Sequence, residues 1–122
     1  MLLQNIPVLR IFDETKAREF YLDWLGFKIE FEHRFEPGMP LYMGISRDNI
    51  VLHLSEHHGD GVPGANIFIT CNEIKKFHEE LQSRPYKYYR PGLDETFYGT
   101  LQISVHDPFG NRLNFNEYLK KS

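Results

Sequence analysis

Apolar and polar residues alternate, fall into a helical rhythm, alternate again, and then the whole succession starts over halfway along the chain. Residues 6–12, IPVLRIF, are apolar and suit a strand, with Pro7 near the start where a ladder hydrogen bond is dispensable. Asp13 offers an N-cap oxygen to a helix. Ala17, Phe20, Tyr21 and Trp24 follow at i, i+3, i+4 and i+7, which places them on one helical face and marks Trp24 as core. Gly26 suits a left-handed helix end. Residues 27–33, FKIEFEH, return to the strand period of two. EPGM predicts a turn, and 40–46 with 49–55 predict a hairpin closed at RDN.

Residues 56–65, EHHGDGVPGA, carry three glycines and a proline and have linker composition. The order then repeats. Residues 66–70 predict a strand, and Asn72 caps a second helix with Ile74, Phe77 and Leu81 as its apolar stripe. Strands are expected over 86–90, 100–106 and 112–118, with a loop over 91–99 and a tight DPFGN turn. The chain therefore reads βαβββ, linker, βαβββ: an α+β fold of tandem modules, roughly 1–56 and 65–122, joined by 57–64. The halves superpose as sequence. Asp13, Leu22 and Gly26 match Asn72, Leu81 and Pro85; Ile50, His53 and Glu56 match Asn111, Asn114 and Glu117. Internal repetition of this kind defines the architecture before any single residue does.

Composition narrows the function. Modules of about 55 residues bury little surface alone, so the halves are expected to pack together or onto another chain. The formal net charge is −3, with both signs mixed, which speaks against nucleic acid as a partner. The single cysteine, Cys71, rules out an internal disulfide and suggests a reducing compartment. The N-terminus lacks a signal-peptide pattern, and no apolar run is long enough for a membrane span. The expectation is a cytoplasmic protein. Nothing supports nucleophilic chemistry at Cys71, and GDGVPG lacks the strand-to-helix context of a phosphate loop.

Three stretches, IPVLRIFDETKAREFYLDWLGFKIEFEHRF, LHLSEHHGDGVPG and ETFYGTLQISVHDPFGNRLNF, resemble the vicinal oxygen chelate superfamily. That superfamily includes glyoxalase I, extradiol dioxygenases, fosfomycin-resistance enzymes and bleomycin-resistance proteins. The chain looks most like the bleomycin-resistance branch. The resemblance implies two incompletely closed, U-shaped sheets, each around a cleft. In the superfamily's enzymes, strands one, four, five and eight each supply a metal ligand. The matching positions here are read as Ile6, His53, Ala65 and Asn114, and only the histidine is a strong ligand.

The resemblance thus implies a binder without cofactor. It would be a homodimer that sequesters a planar, bleomycin-type small molecule in a cleft between subunits, with acidic groups suited to a cationic tail. Tyr42, His53, Phe35, Phe97, Tyr98, Asn114, Asn116, Asp94 and Glu95 are the expected ligand-binding residues. Phe31, Tyr86, Tyr88 and Tyr89 add to the aromatic supply. Period two sends Asn114 and Asn116 to one face of the last strand, where they either floor a pocket or satisfy backbone groups. Phe97 either stacks on a ligand or packs its own loop. The alternative is a glyoxalase-like lyase or isomerase, or a dioxygenase, holding Zn, Ni, Mn or Fe through His53 and Glu117. It needs a register break in the last strand to turn Glu117 inward.

Overall fold

A computed structural model describes residues 1–86 and 90–120. The first module runs β1 (Val8–Arg10), α1 (Glu14–Arg18) continuing as a π-helical turn (Glu19–Trp24), β2 (Lys28–His33), β3 (Tyr42–Arg47) and β4 (Ile50–Ser55). The second runs β5 (Asn66–Thr70), α2 (Ile74–Ser83), β6 (Asp94–Glu95), β7 (Thr100–His106) and β8 (Arg112–Tyr118). Each module forms its own four-stranded mixed sheet. The orders, β1-β4-β3-β2 and β5-β8-β7-β6, are the same, so the repetition seen in the sequence is a repetition of topology. Neither sheet closes into a barrel.

Local chemistry accounts for most boundaries. Asp13 caps α1 as expected, its carboxylate accepting from the Lys16 amide at 2.9 Å. Ala17, Phe20, Tyr21 and Trp24 are all buried. Gly26, at φ +81°, ends the helix in the left-handed region where glycine carries no steric cost. The Phe27 amide turns back to the Tyr21 carbonyl at 3.0 Å.

One expectation fails. Asn72 does not cap α2. The cap position is Glu73, itself left-handed at φ 52° and without a capping side chain. The orphan Ile74 amide is met instead by the Glu117 carboxylate of β8 at 3.0 Å. A residue 43 positions away in sequence replaces the local cap, which no local pattern signals. The strand expected over 86–90 falls mostly on residues that the structure does not describe. Tyr86 and Arg90 lie outside any strand, and 87–89, with Tyr88 and Tyr89, fall outside the described residues. Among the described residues, the edge of the second sheet is the two-residue β6, inside the stretch expected to be loop, paired through Asp94–Gln102 and Glu95–Leu101.

One continuous apolar core joins the modules. Leu9, Phe20, Trp24, Met43, Ile45, Leu52 and Leu54 meet Ile69, Ile74, Leu81, Ile103, Leu113 and Phe115. Trp24 is 1% exposed, packs against Phe20 and stacks on Tyr86, and donates from Nε1 to the Leu81 carbonyl at 3.1 Å. Two polar clasps reinforce this junction. In the first, Glu80 of α2 binds Arg47 of β3 through both oxygens, at 2.6 and 3.0 Å, and also Arg84. Those arginines donate to the Leu25 and Trp24 carbonyls that end the first helix. In the second, Tyr21 of the first module donates to Asp107 in the DPFGN turn at 2.6 Å, and the Asn111 amide donates to the Arg10 carbonyl at 2.9 Å.

The first clasp makes acid stability testable. Hydrogen bonds from Arg47 hold the Glu80 carboxyl below its ordinary range, against the opposing effect of burial. A lowered carboxylate contributes stability that is fully present above its unfolded value and is lost as pH falls through the folded one. Glu80→Gln is expected to cost about 1 kcal/mol at neutral pH, since the pair is only partly buried. The variant should also lose less stability than the parent across the carboxylate range. Urea midpoints taken from neutral pH downward check both; parallel curves would show that the clasp contributes nothing to the acid limb.

Candidate functional site

Strand alternation gives each sheet one face toward the core and one away from it. In the first sheet Leu9, Met43, Ile45, Leu52 and Leu54 face the core. Cross-strand pairing puts Val8, His53, Gly44 and Phe31 in one row on the opposite face, with Tyr42 beside them. A bulge between Ile29 and Phe31 resets β2 so that Phe31 lies opposite Gly44. The Phe31 ring lies directly over Gly44, where any Cβ would collide with it. A glycine within a strand marks this kind of close approach, and that was the available signal for a site residue not chosen from sequence.

The result is an aromatic platform. Phe31 and Tyr42 are nearly parallel, 13° apart, and the His53 imidazole stands edge-on to both, with centroids at 5.3 and 5.2 Å. The Tyr42 hydroxyl and His53 Nδ1 are hydrogen-bonded at 2.7 Å. Phe31 remains 42% exposed, an apolar ring held flat and open to solvent. Burial, with the charge of Asp60, raises the Tyr42 phenol above its ordinary value and keeps it protonated.

The matching face of the second sheet is amide-rich. Phe68 pairs with Asn114, which pairs with Ser104; Gln102 pairs with Asn116. Asn114 donates to Asn66 Oδ1 at 2.6 Å and the Ile67 carbonyl at 3.1 Å, and accepts from Ser104 at 2.9 Å. Asn116 accepts from Thr100 and Gln102 and donates to the Asn114 carbonyl. Both amides therefore hold the sheet together. Gln102 also donates to the Tyr98 hydroxyl at 2.8 Å, which sets that ring 6.4 Å from Phe68. Phe68 and Gln102 were not chosen from sequence, although Phe68 alternates with the buried side of NIFIT.

The remaining expected residues lie at the margins. Asp94 and Glu95 form the exposed edge strand β6. Phe35 is exposed in the loop after β2, with its ring near His33 and His57. Phe97 is 100% exposed and its ring meets that of Tyr98. The structure thus brings Tyr42 and His53 together on the first face, gathers Asn114, Asn116 and Tyr98 on the second, and leaves Phe35 and Phe97 at loop tips.

Register also revises the comparison with a superfamily metal site. The residues beside His53 and Asn114 are Val8 and Phe68, not Ile6 and Ala65. Neither side chain carries a donor atom, and Asn114 is engaged on both its amide atoms. β8 pairs without a break from Arg112 to Tyr118, so Glu117 stays on the face opposite Asn114 and Asn116, at the head of α2. Among the described residues no group of three or more His, Cys, Asp or Glu side chains is placed to hold a metal ion. These residues do not fit the superfamily's divalent centre.

A separate groove of about 810 Å³ lies where the modules meet, lined by Arg47, Asn49, Cys71, Lys76, Phe77 and Glu80 among others. Burial raises the Cys71 thiol above its ordinary value, with the Glu117 charge adding to the effect, so it is a poor nucleophile. No helix among the described residues is long and apolar enough to cross a membrane.

Comparison with known proteins agrees with the fold. The profile of a family described as glyoxalase superfamily protein matches residues 1–121. A bleomycin-binding protein solved with bleomycin superposes with a TM-score of 0.72 at 21% identity, over 97% of this chain and 100% of the other. The bleomycin resistance determinant encoded on transposon Tn5 gives 0.72 and 21%, over 98% and 100%. An antibiotic binding protein from Streptomyces sp. CB03234 gives 0.70 and 18%, over 98% and 99%. At such identities these likenesses establish the fold. No curated protein sequence matches this one.

Proposed function

The chain belongs to the glyoxalase superfamily, and from that premise we propose that it is a metal-independent binding protein for a planar small molecule. The observation that carries the reading is the platform of Phe31, Tyr42 and His53: an exposed ring seated on a glycine, flanked by a hydrogen-bonded imidazole. A flat heteroaromatic group gains most on such a surface, where offset or edge-to-face contact adds to apolar burial. The second face, with Phe68 and the Tyr98 hydroxyl, suits the ligand's polar periphery. A homodimer that sets the first face of one copy against the second face of another would enclose the ligand from both sides. The bleomycin-binding protein of the same fold supports this choice of ligand class. The poor fit of Val8, Phe68 and Asn114 to a divalent ion supports binding without metal. In this reading the ligand leaves chemically unchanged, and protection of the cell comes from sequestration.

Calorimetric titration with metal-free bleomycin, and with 2,2′-bithiazole-4-carboxamide as a smaller planar probe, tests this directly. Binding at one ligand per cleft is expected, unaltered by EDTA, with a dimer in sedimentation. Trp24 is sealed in the core, so its fluorescence is the wrong readout. Absence of heat with both probes, or binding that appears only when Zn²⁺ or Ni²⁺ is added, would overturn the proposal.

A further inference from the structure

We propose that Tyr42 is a positioning residue that locks His53 in the tautomer carrying its proton on Nε2, so that the first face presents a single fixed hydrogen-bond donor and selects planar ligands with a carbonyl or carboxylate oxygen at the ring edge. This rests on the reading above and names the ligand chemistry it leaves open. The 2.7 Å contact joins the Tyr42 hydroxyl to Nδ1, not to Nε2. A phenol has one proton and a weakly basic oxygen, whereas an unprotonated imidazole nitrogen is a strong acceptor. The favoured arrangement therefore has Tyr42 donating, and Nδ1 bare. A neutral imidazole with a bare Nδ1 carries its proton on Nε2.

The other end of the ring is free to act. No described residue is bonded to Nε2, and no buried side-chain nitrogen or oxygen among the described residues lacks a partner. Nε2 must therefore reach solvent on the open face. Were the tautomer reversed, the Tyr42 hydroxyl would lose its one intramolecular acceptor. The second module lacks the device. Where the first pairs Tyr42 with His53, the equivalent positions carry Gln102 and Asn114, and both bond within their own sheet. The donor is thus particular to one face, beside the exposed Phe31 ring. A ligand lying on that ring would meet Nε2–H along its edge.

The tautomer can be read without any ligand, by long-range nitrogen–proton correlation on ¹⁵N-histidine protein, with His53→Gln used to assign the signal. The parent should show Nδ1 as the unprotonated nitrogen, and Tyr42→Phe, which keeps the ring, should give averaged tautomers. Titration of the parent should favour 2,2′-bithiazole-4-carboxamide over unsubstituted 2,2′-bithiazole by about fivefold, the size of one neutral hydrogen bond. That preference should vanish in Tyr42→Phe, whose affinities for the two compounds should become equal. A parent with its proton on Nδ1, or with mixed tautomers, overturns the lock. The expected tautomer with equal affinity for both probes overturns the selectivity. The expected tautomer with neither probe bound upholds the lock and overturns the planar-ligand function, along with the selectivity built on it.

Discussion

Asp107→Ala is expected to lower the unfolding free energy by about 3–5 kcal/mol, the cost of breaking a buried charged network at one partner. One carboxylate serves four donors. Oδ2 accepts from the Tyr21 hydroxyl at 2.6 Å and the Asn111 side chain at 2.8 Å; Oδ1 accepts from the Phe109 and Asn111 amides, both at 2.8 Å. Asp107 and Asn111 are buried, and Tyr21 is wholly so. Removal strands those donors where water cannot replace the acceptor, so each contributes its desolvation cost. It also frees the β7–β8 turn from Tyr21, which removes one of the polar contacts between the modules. Burial, and then the nearby Asp107 charge, pushes the Tyr21 phenol well above its ordinary value, so it stays a donor throughout the accessible pH range. Urea unfolding followed by circular dichroism measures the loss. A cost under about 1 kcal/mol would mean that the turn forms independently of Tyr21.

Phe31→Ala is expected to weaken binding of the planar probe by about 2 kcal/mol, roughly thirtyfold, because the ring supplies the platform's exposed apolar surface. Its effect on folding should stay below about 1 kcal/mol, since the ring lies on the outside of the sheet. Calorimetry paired with thermal unfolding separates the two. Phe97→Ala is the matched control: its ring is fully exposed at a loop tip, and a smaller loss is expected. A reversal of that order would move the ligand away from the first face to the β6–β7 turn.

The DPFGN turn shows how far local reading reaches. Proline and glycine mark a reversal in any context, and the sequence alone locates it correctly at 107–111. That the same aspartate also binds a tyrosine 86 residues away is invisible, because no pattern of neighbours encodes a contact between modules. His53 is similar. Alternation with Leu52 and Leu54 sends it outward, as the sheet confirms. Its partner Tyr42 lies on the adjoining strand, and their contact depends on a hairpin register that one residue's slip would destroy.

The chain by itself determined the tandem βαβββ order, the capped first helix with its buried aromatic stripe, and the face on which His53, Asn114 and Asn116 lie. Each follows from periodicity or from a cap within a few residues, and such signals are local. Tertiary structure alone decided that Glu117 caps α2, that Asp94–Glu95 pair with β7 as a strand, that Val8 and Phe68 flank the two central positions, and that Phe31 lies flat on Gly44. Those outcomes depend on which strands meet and in what register. Register is settled by packing the whole core at once, with every strand constrained by its neighbours.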